Sequence, residues 1–189
     1  MILTDREIQI ALESKAIIVE PTPGEEQYSS TSLDLRLDKI LTIFKRPKGG
    51  VDICIDPSNK EYDHEAVFGD ISTEIEIDDI KGYDFQPNDM VLGWTEEYIA
   101  LTFHSRLAAR VEGKSSLARL GIGVHLTAPT IHAGFTGRIR LEMVNHNVMP
   151  IRLRAGMRVC QLIFEQTLGT PVQGYKGRFA GQMAGAKKG

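Results

Sequence analysis

Gly113-Lys114-Ser115-Ser116 sets a lysine and two hydroxyls where a strand-like run, Leu107 to Gly113, gives way to a short amphipathic segment. Backbone amides at a helix start, with hydroxyl and ammonium donors beside them, form a seat for phosphate oxygens. Serine at such a position is also ordinary helix punctuation, so the pattern alone leaves both readings open. Arg119 follows three or four residues behind the serines on the same helical face. On its own it reads as a surface arginine or as part of that constellation. Glu142 is the second group of interest. Ile139 and Leu141 alternate with Arg138, Arg140 and Glu142, so strand periodicity puts the carboxylate and both arginines on one face. On a solvated face Glu142 is a salt-bridged residue; in a dry pocket beside cations and a serine it is a general acid and base.

Other chemistries find no support. No GxxxxGK[ST] phosphate loop or dinucleotide glycine fingerprint occurs. His64, His104, His125, His132 and His146 are scattered without HExxH spacing, and the H-x-E with P-C-x-x-C pattern of zinc nucleobase deaminases is missing. A zinc site is therefore not expected. Only two cysteines, Cys54 and Cys160, are present, far apart, which argues against a disulfide framework.

The elements that must position these groups read as short strands. Leu33, Leu35 and Leu37 alternate with Asp34, Arg36 and Asp38 in SLDLRLDKI, which predicts a half-buried strand. Similar runs recur as ISTEIEI, DMVLGWT, EYIALTF, LAARVEG, GVHLTAP, GRIRLEMVN, PIRLRAG and MRVCQLIFEQ. Pro87-Asn88-Asp89, Gly134 to Gly137 and Arg154-Ala155-Gly156 supply turns between them. Thr4-Asp5-Arg6-Glu7 has capping-box spacing ahead of Ile8, Ala11 and Leu12, predicting an N-terminal helix that ends near Lys15. The pattern is an all-β fold with minor helices, a jelly roll or barrel, forming one domain over residues 1–189. Twenty-two basic and 25 acidic residues give a net charge of −3, too weak a field for a dedicated nucleic-acid or acidic-membrane binder. No run of about 18 apolar residues occurs and the start lacks signal-peptide features, so a soluble cytoplasmic protein is expected. The glycine- and lysine-rich end, GYKGRFAGQMAGAKKG, reads either as a frayed tail or as a flexible lid over residues 172–189 closing on an anionic ligand.

Weak singly, the motifs are specific together. GKSSLARLG, HLTAPTIHAGFTGRIRLEMVN and GMRVCQLIF resemble the deoxycytidine triphosphate (dCTP) deaminase family of the trimeric dUTPase superfamily. SSTSLDLRL matches an early strand motif of that family and YKGRFAGQ its C-terminal lid, whereas residues 45–80 match nothing in it. The resemblance implies a distorted jelly roll, a homotrimer with interfacial active sites, and zinc-free deamination of magnesium-bound dCTP to dUTP and ammonia. Carried over, Glu142 is the catalytic carboxylate, Ser115 and the Ala128 carbonyl hold the attacking water, and Arg119 keeps Glu142 ionised. Lys114 and Ser116, with Leu117 and Ala118, would seat phosphates. Ile131 and His132 would face the sugar, and Arg140-Leu141 would run along the base. Gln161 would touch the nucleotide, and Tyr175, Arg178 and Gln182 would cover the triphosphate. Mg2+ would ride on the triphosphate without side-chain ligands, and dTTP is a candidate inhibitor.

Three departures bear on the product. His132 stands where the family usually has an aspartate on which dUTPases depend for diphosphate hydrolysis, which argues against a plain dUTPase. Its other reading is a structural turn histidine. Pro129-Thr130 replaces the glycine-aromatic pair typical of the branch that forms dUMP, while Gln161 is familiar in that same branch. Lys114 for arginine and Arg178 for lysine keep the charge and change the hydrogen-bond geometry. The balance favours release of dUTP; alternatives are a bifunctional enzyme forming dUMP and diphosphate, a dUTPase, or a non-enzymatic nucleotide-binding trimer.

Overall fold

The computed structural model describes residues 1–45, 54–177 and 181–184. Helix α1 spans Asp5–Glu13 and buries Ile8 and Ala11. Thr4 is its N-cap, but the Thr4 hydroxyl bonds the Glu7 carboxylate instead of a backbone amide, so the reciprocal capping box does not form. The helix stops slightly early, and Lys15 takes a left-handed φ of 57° that turns the chain into the first strand.

The strands, in chain order, are β1 (Ile17–Glu20), β2 (Tyr28–Ser29), β3 (Ser32–Arg36), β4 (Ile40–Phe44), β5 (Ser72–Glu76), β6 (Tyr83–Phe85) and β7 (Met90–Leu101). There follow β8 (Leu107–Gly113), β9 (Ile122–Gly123), β10 (Thr130–Ile131), β11 (Thr136–Asn145), β12 (Ile151–Leu153) and β13 (Arg158–Gln166). The remaining α-helices are α2 (His64–Ile71) and the single turn α3 (Ser115–Ala118). One sheet runs β5-β4-β7-β11-β9 with β1 also on β7; a second runs β10-β8-β13-β3-β2; β12 and β6 form a small ribbon. All of these pairings are antiparallel. The described sheets are open paths that do not close into a barrel, and the expected distorted jelly roll is what forms.

Strand β7 organises the first sheet. β11 lies along one edge, while the other edge takes β4 at residues 91–92 and β1 at residues 98–101. DMVLGWT and EYIALTF, read separately in sequence, are thus one strand. The polar Thr95-Glu96-Glu97 between them is a bulge: the register on β11 moves from Tyr98 to Trp94 while β11 advances only from Arg138 to Arg140. The Thr95 hydroxyl fixes that kink, donating to the Glu97 carbonyl (2.8 Å) and accepting from the Ile139 amide (2.9 Å). The bulge turns Glu97 into the interior, where it is fully buried. There its carboxylate accepts from Arg36 Nε (2.8 Å), the Arg36 amide (2.8 Å) and Gln27 Nε2 (3.0 Å).

SLDLRLDKI divides at a corner, with β3 in one sheet and β4 in the other, and Leu37 bridging to Thr95 between them. Leu33 and Leu35 face Leu162 and Cys160 across β13, and with Val111, Phe164, Ile99 and Leu141 they fill the space between the sheets. The polar side of β3 is not solvated as expected, since Asp34 is 2% exposed. GVHLTAP yields only the short strands at its ends. The Pro129 carbonyl accepts from the Val111 amide (2.8 Å), but proline has no N–H to return, so the ladder to β8 begins at Thr130. Cys54 and Cys160 are free. Among the described residues no helix is long and apolar enough to cross a membrane.

Candidate active site

The cleft-facing side of the first sheet carries a cross-strand row. Glu142 on β11 lies opposite Leu92, Leu92 opposite Thr42, and Thr42 opposite Glu74. Trp94 and Arg140 form the next row. Alternation along β11 holds as expected: Ile139, Leu141 and Met143 are buried in the core, while Arg138, Arg140 and Glu142 are half-buried on the opposite face. These side chains floor a cleft of about 940 Å3, within the usual range for small-molecule sites. Ala128, Ile131 and His132 line one side; His64, Glu65 and Phe68 of α2 line another.

Glu142 is a perturbed carboxyl group. Burial raises its pKa above the usual glutamate value, because the charged form loses hydration. The Glu142 and Leu126 amides, His125 and Arg140 act in the opposite direction. Arg140 lies with its guanidinium carbon 4.3 Å from the Trp94 ring centroid and donates to the Thr42 hydroxyl. Burial brings the Arg140 pKa down to about 10, against the opposing effects of Glu74 and Glu142. A carboxyl group pushed towards protonation and faced by the Arg140 guanidinium can both accept and return a proton.

The chain after β13 closes one end of the cleft. Tyr175 donates its amide to the Ala133 carbonyl (3.1 Å), and its ring stacks on His132 with centroids 5.5 Å apart. Gln182 makes a parallel bridge to Gly137: its carbonyl accepts from the Arg138 amide and its Nε2 donates to the Arg138 carbonyl, both at 2.9 Å. Glycine is required there, because a Cβ on Gly137 (φ 136°) would stand 2.7 Å from the Gln182 carbonyl oxygen. Gly134 has the same role at the other contact, where a Cβ would meet Gly174 and Tyr175 backbone at 3.1 Å. Tyr175 is therefore docked on the loop before β11, and Gly181 and Gln182 on β11 itself. Arg178 lies outside the described residues.

The expected site residues fall into two groups. Glu142, Ala128, Ile131, His132, Arg140, Leu141, Tyr175 and Gln182 share the cleft. Ser115, Ser116, Ala118 and Arg119 are exposed on and beside α3, Leu117 packs against the core, and none of them lines that cleft. Within one chain the arginine acting on Glu142 is Arg140, and Arg119 is not among its neighbours. Lys114 is bound to the Asp34 carboxylate, with Arg158 3.3 Å from the same oxygen. Gln161 beside them accepts from the Ser32 hydroxyl (2.8 Å) and donates to the Gly113 carbonyl (3.2 Å).

Sequence reasoning missed Trp94, Thr42, His125 and α2. Trp94 and Thr42 sit in strands whose alternation signals burial, not a site. His125 is the third residue of GVHLTAP, a segment read as strand. α2 carries one local cue, Asp63, whose carboxylate accepts from the Glu65 and Ala66 amides (2.9 and 3.2 Å).

These features define a jelly-roll protein with a carboxylate-centred small-molecule cleft. Residues 2–167 match the dCTP deaminase-like family, and the chain belongs to that family. It is 37% identical over 175 residues to a "dCTP deaminase, dUMP-forming" of Methanobrevibacter smithii, covering 91% of this chain and 83% of the relative. It is 37% identical over 179 residues to a "dCTP deaminase" of Marinomonas sp., covering 94% and 90%. The crystal structure of the 2'-deoxycytidine 5'-triphosphate deaminase from Agrobacterium tumefaciens superimposes with a TM-score of 0.63 at 23% identity over 86% of this chain, which establishes the shared fold. This chain spans about half (47%) of that one.

Proposed function

We propose that the protein hydrolyses the exocyclic C4–N bond of dCTP, giving dUTP and ammonia. The observation that carries this reading is Glu142, a half-buried carboxyl group of raised pKa facing Arg140 and His125 on the floor of the cleft. Glu142 takes a proton from a water that attacks cytosine C4, passes a proton to N3, and delivers another to the departing ammonia; the water oxygen becomes the new C4 carbonyl. The Ala128 carbonyl and Ser115 hold that water and Arg119 favours the ionised Glu142, Ser115 and Arg119 reaching in from a neighbouring subunit. Their separation from Glu142 within one chain supports this arrangement, as do the exposed apolar side chains Leu120, Leu126 and Val148. A homotrimer in the cytoplasm, with three such shared sites, is the assembly the reading requires. Lys114 and Ser116 receive the phosphates, for which Lys114 exchanges its Asp34 partner. Tyr175, Arg178 and Gln182 cover the phosphates as a closing lid.

Mg2+ enters with the nucleotide, held by its phosphate oxygens, the hard oxygen ligands that this cation prefers. When bound, the ion neutralises phosphate charge; the proton transfers belong to Glu142. A second reading, onward cleavage to dUMP and diphosphate, is favoured by likeness to relatives named dUMP-forming.

Purified protein with dCTP and Mg2+, followed by nucleotide chromatography and an ammonia assay, separates these. A dUTP peak supports the first reading, a dUMP peak without accumulating dUTP supports the second, and unchanged dCTP overturns both. Glu142→Gln should lower turnover at least about a hundredfold while nucleotide binding persists.

A further inference from the structure

We infer that Trp94 is a positioning residue for Glu142: its indole, with the Thr42 hydroxyl, clamps the Arg140 guanidinium so that a fixed positive charge stands on the cleft face of β11, two residues from the carboxylate. The inference rests on the proposed role of Glu142 and adds the device that sets its charge environment. Arg140 is held from two directions, by the Trp94 ring at 4.3 Å and by the hydroxyl of Thr42, whose side chain is 1% exposed. Both anchors come from rigid strands, β7 and β4, and the Thr95 bulge brings Trp94 opposite Arg140 in the register. Among the described residues Arg140 is in no ion pair within 4.0 Å, although the carboxylates of Glu74 and Glu142 both act on it. A long flexible arginine free in such a cleft would move towards water and carry its charge away from Glu142. Against the ring it stays in place, desolvated, where its field is least screened.

Other groups also face this part of the cleft. His125 comes from the loop after β9, Glu74 from β5, His64 and Glu65 from α2, His132 from the loop between β10 and β11, and Tyr175 from the closing segment. His125 and Arg140 are the two that favour the ionised Glu142.

The test is a carbon-13 NMR titration of the Glu142 carboxyl in the full-length protein, with Glu142→Gln supplying the assignment. Trp94→Leu should move the titration midpoint to higher pH, and Trp94→Phe, which keeps an aromatic face, should return it most of the way to wild type. An unchanged midpoint in Trp94→Leu, a lower one, or no recovery in Trp94→Phe overturns the inference. If Trp94→Leu does not fold, Arg140→Gln decides: its midpoint must rise, and an unchanged value is equally fatal. Repeating the series in a His125→Gln background removes the other side chain that favours ionised Glu142, and the Trp94 effect must persist there.

The titration needs no substrate, so it stands even if wild-type protein releases no ammonia; that result would strike the proposed function alone. If dCTP is turned over, the acid limb of kcat against pH should shift upward in Trp94→Leu with little change in KM. A change in KM alone would mean Trp94 only shapes the pocket.

Discussion

Glu142 works against the fold that holds it. A carboxyl group whose folded-state pKa is raised contributes stability that is complete below its unfolded-state pKa and lost as pH rises through its folded-state value. Glu142→Gln should therefore raise the melting temperature, by an amount that grows with pH across that interval and then levels off. Thermal melts of both proteins from pH 4 to pH 8 check this, and a stabilisation confined to the acid end would contradict it. Leu141, the next residue, makes the opposite case: it is fully buried between the sheets. Leu141→Ala should cost about 2–5 kcal/mol in denaturant unfolding, since it leaves a cavity in the packed core. One peptide bond separates a side chain kept for chemistry from one kept for packing.

At the scale of elements, two segments enclose the cleft with unequal security. The terminal segment is pinned to β11 by backbone and side-chain hydrogen bonds that depend on Gly137. Gly137→Val puts a side chain where the Gln182 carbonyl now sits, so the segment should undock. Faster proteolysis after Tyr175 and a raised KM for nucleotide would follow, with the melting temperature lowered by only a few degrees. Helix α2 has eight residues and buries none of them fully; among its ring contacts Phe68 lies edge-on to Phe44 (6.0 Å) and stacks on His64 (5.8 Å). So short a helix has little stability of its own. Amide hydrogen exchange should be faster in α2 than in β7 or β11, and should slow when nucleotide fills the cleft.

For the whole molecule, the division of the site residues into two groups carries the strongest expectation. Glu142 lies in the cleft, while Ser115 and Arg119 are exposed on another part of the surface. If neighbouring subunits complete one another's sites, equal mixing of Glu142→Gln and Arg119→Ala chains should regenerate active sites. Random assembly pairs an intact Glu142 with an intact Arg119 at about one quarter of interfaces, so about a quarter of wild-type activity should return. No recovery after subunit exchange would show that each chain builds its own site.

How much of this was legible beforehand follows from the range of each signal. Strands β5, β8, β11, β12 and β13, the turns at Asn88, Gly134 and Gly156, and the outward face of Arg138, Arg140 and Glu142 are local matters of alternation and backbone freedom, and a linear sequence displays them directly, whereas the short β1 and β6 drew no strand reading. The motif set running from Gly113 to Phe164 was enough to indicate the family. Where polar residues go when strands from distant parts of the chain meet depends on the assembled sheets. Thr95-Glu96-Glu97 spans the break between two runs read as separate strands and is a bulge inside one strand, because β11 supplies the edge that holds it. Asp34 and Glu97 have the composition of a solvated face and are buried, because Lys114, Arg158, Arg36 and Gln27 arrive from elsewhere to satisfy them. Trp94, Thr42 and Arg140 come from three strands separated by up to 98 residues, and no periodicity within one strand encodes their meeting. Alternation says which way a side chain points; the sheet decides what it points at.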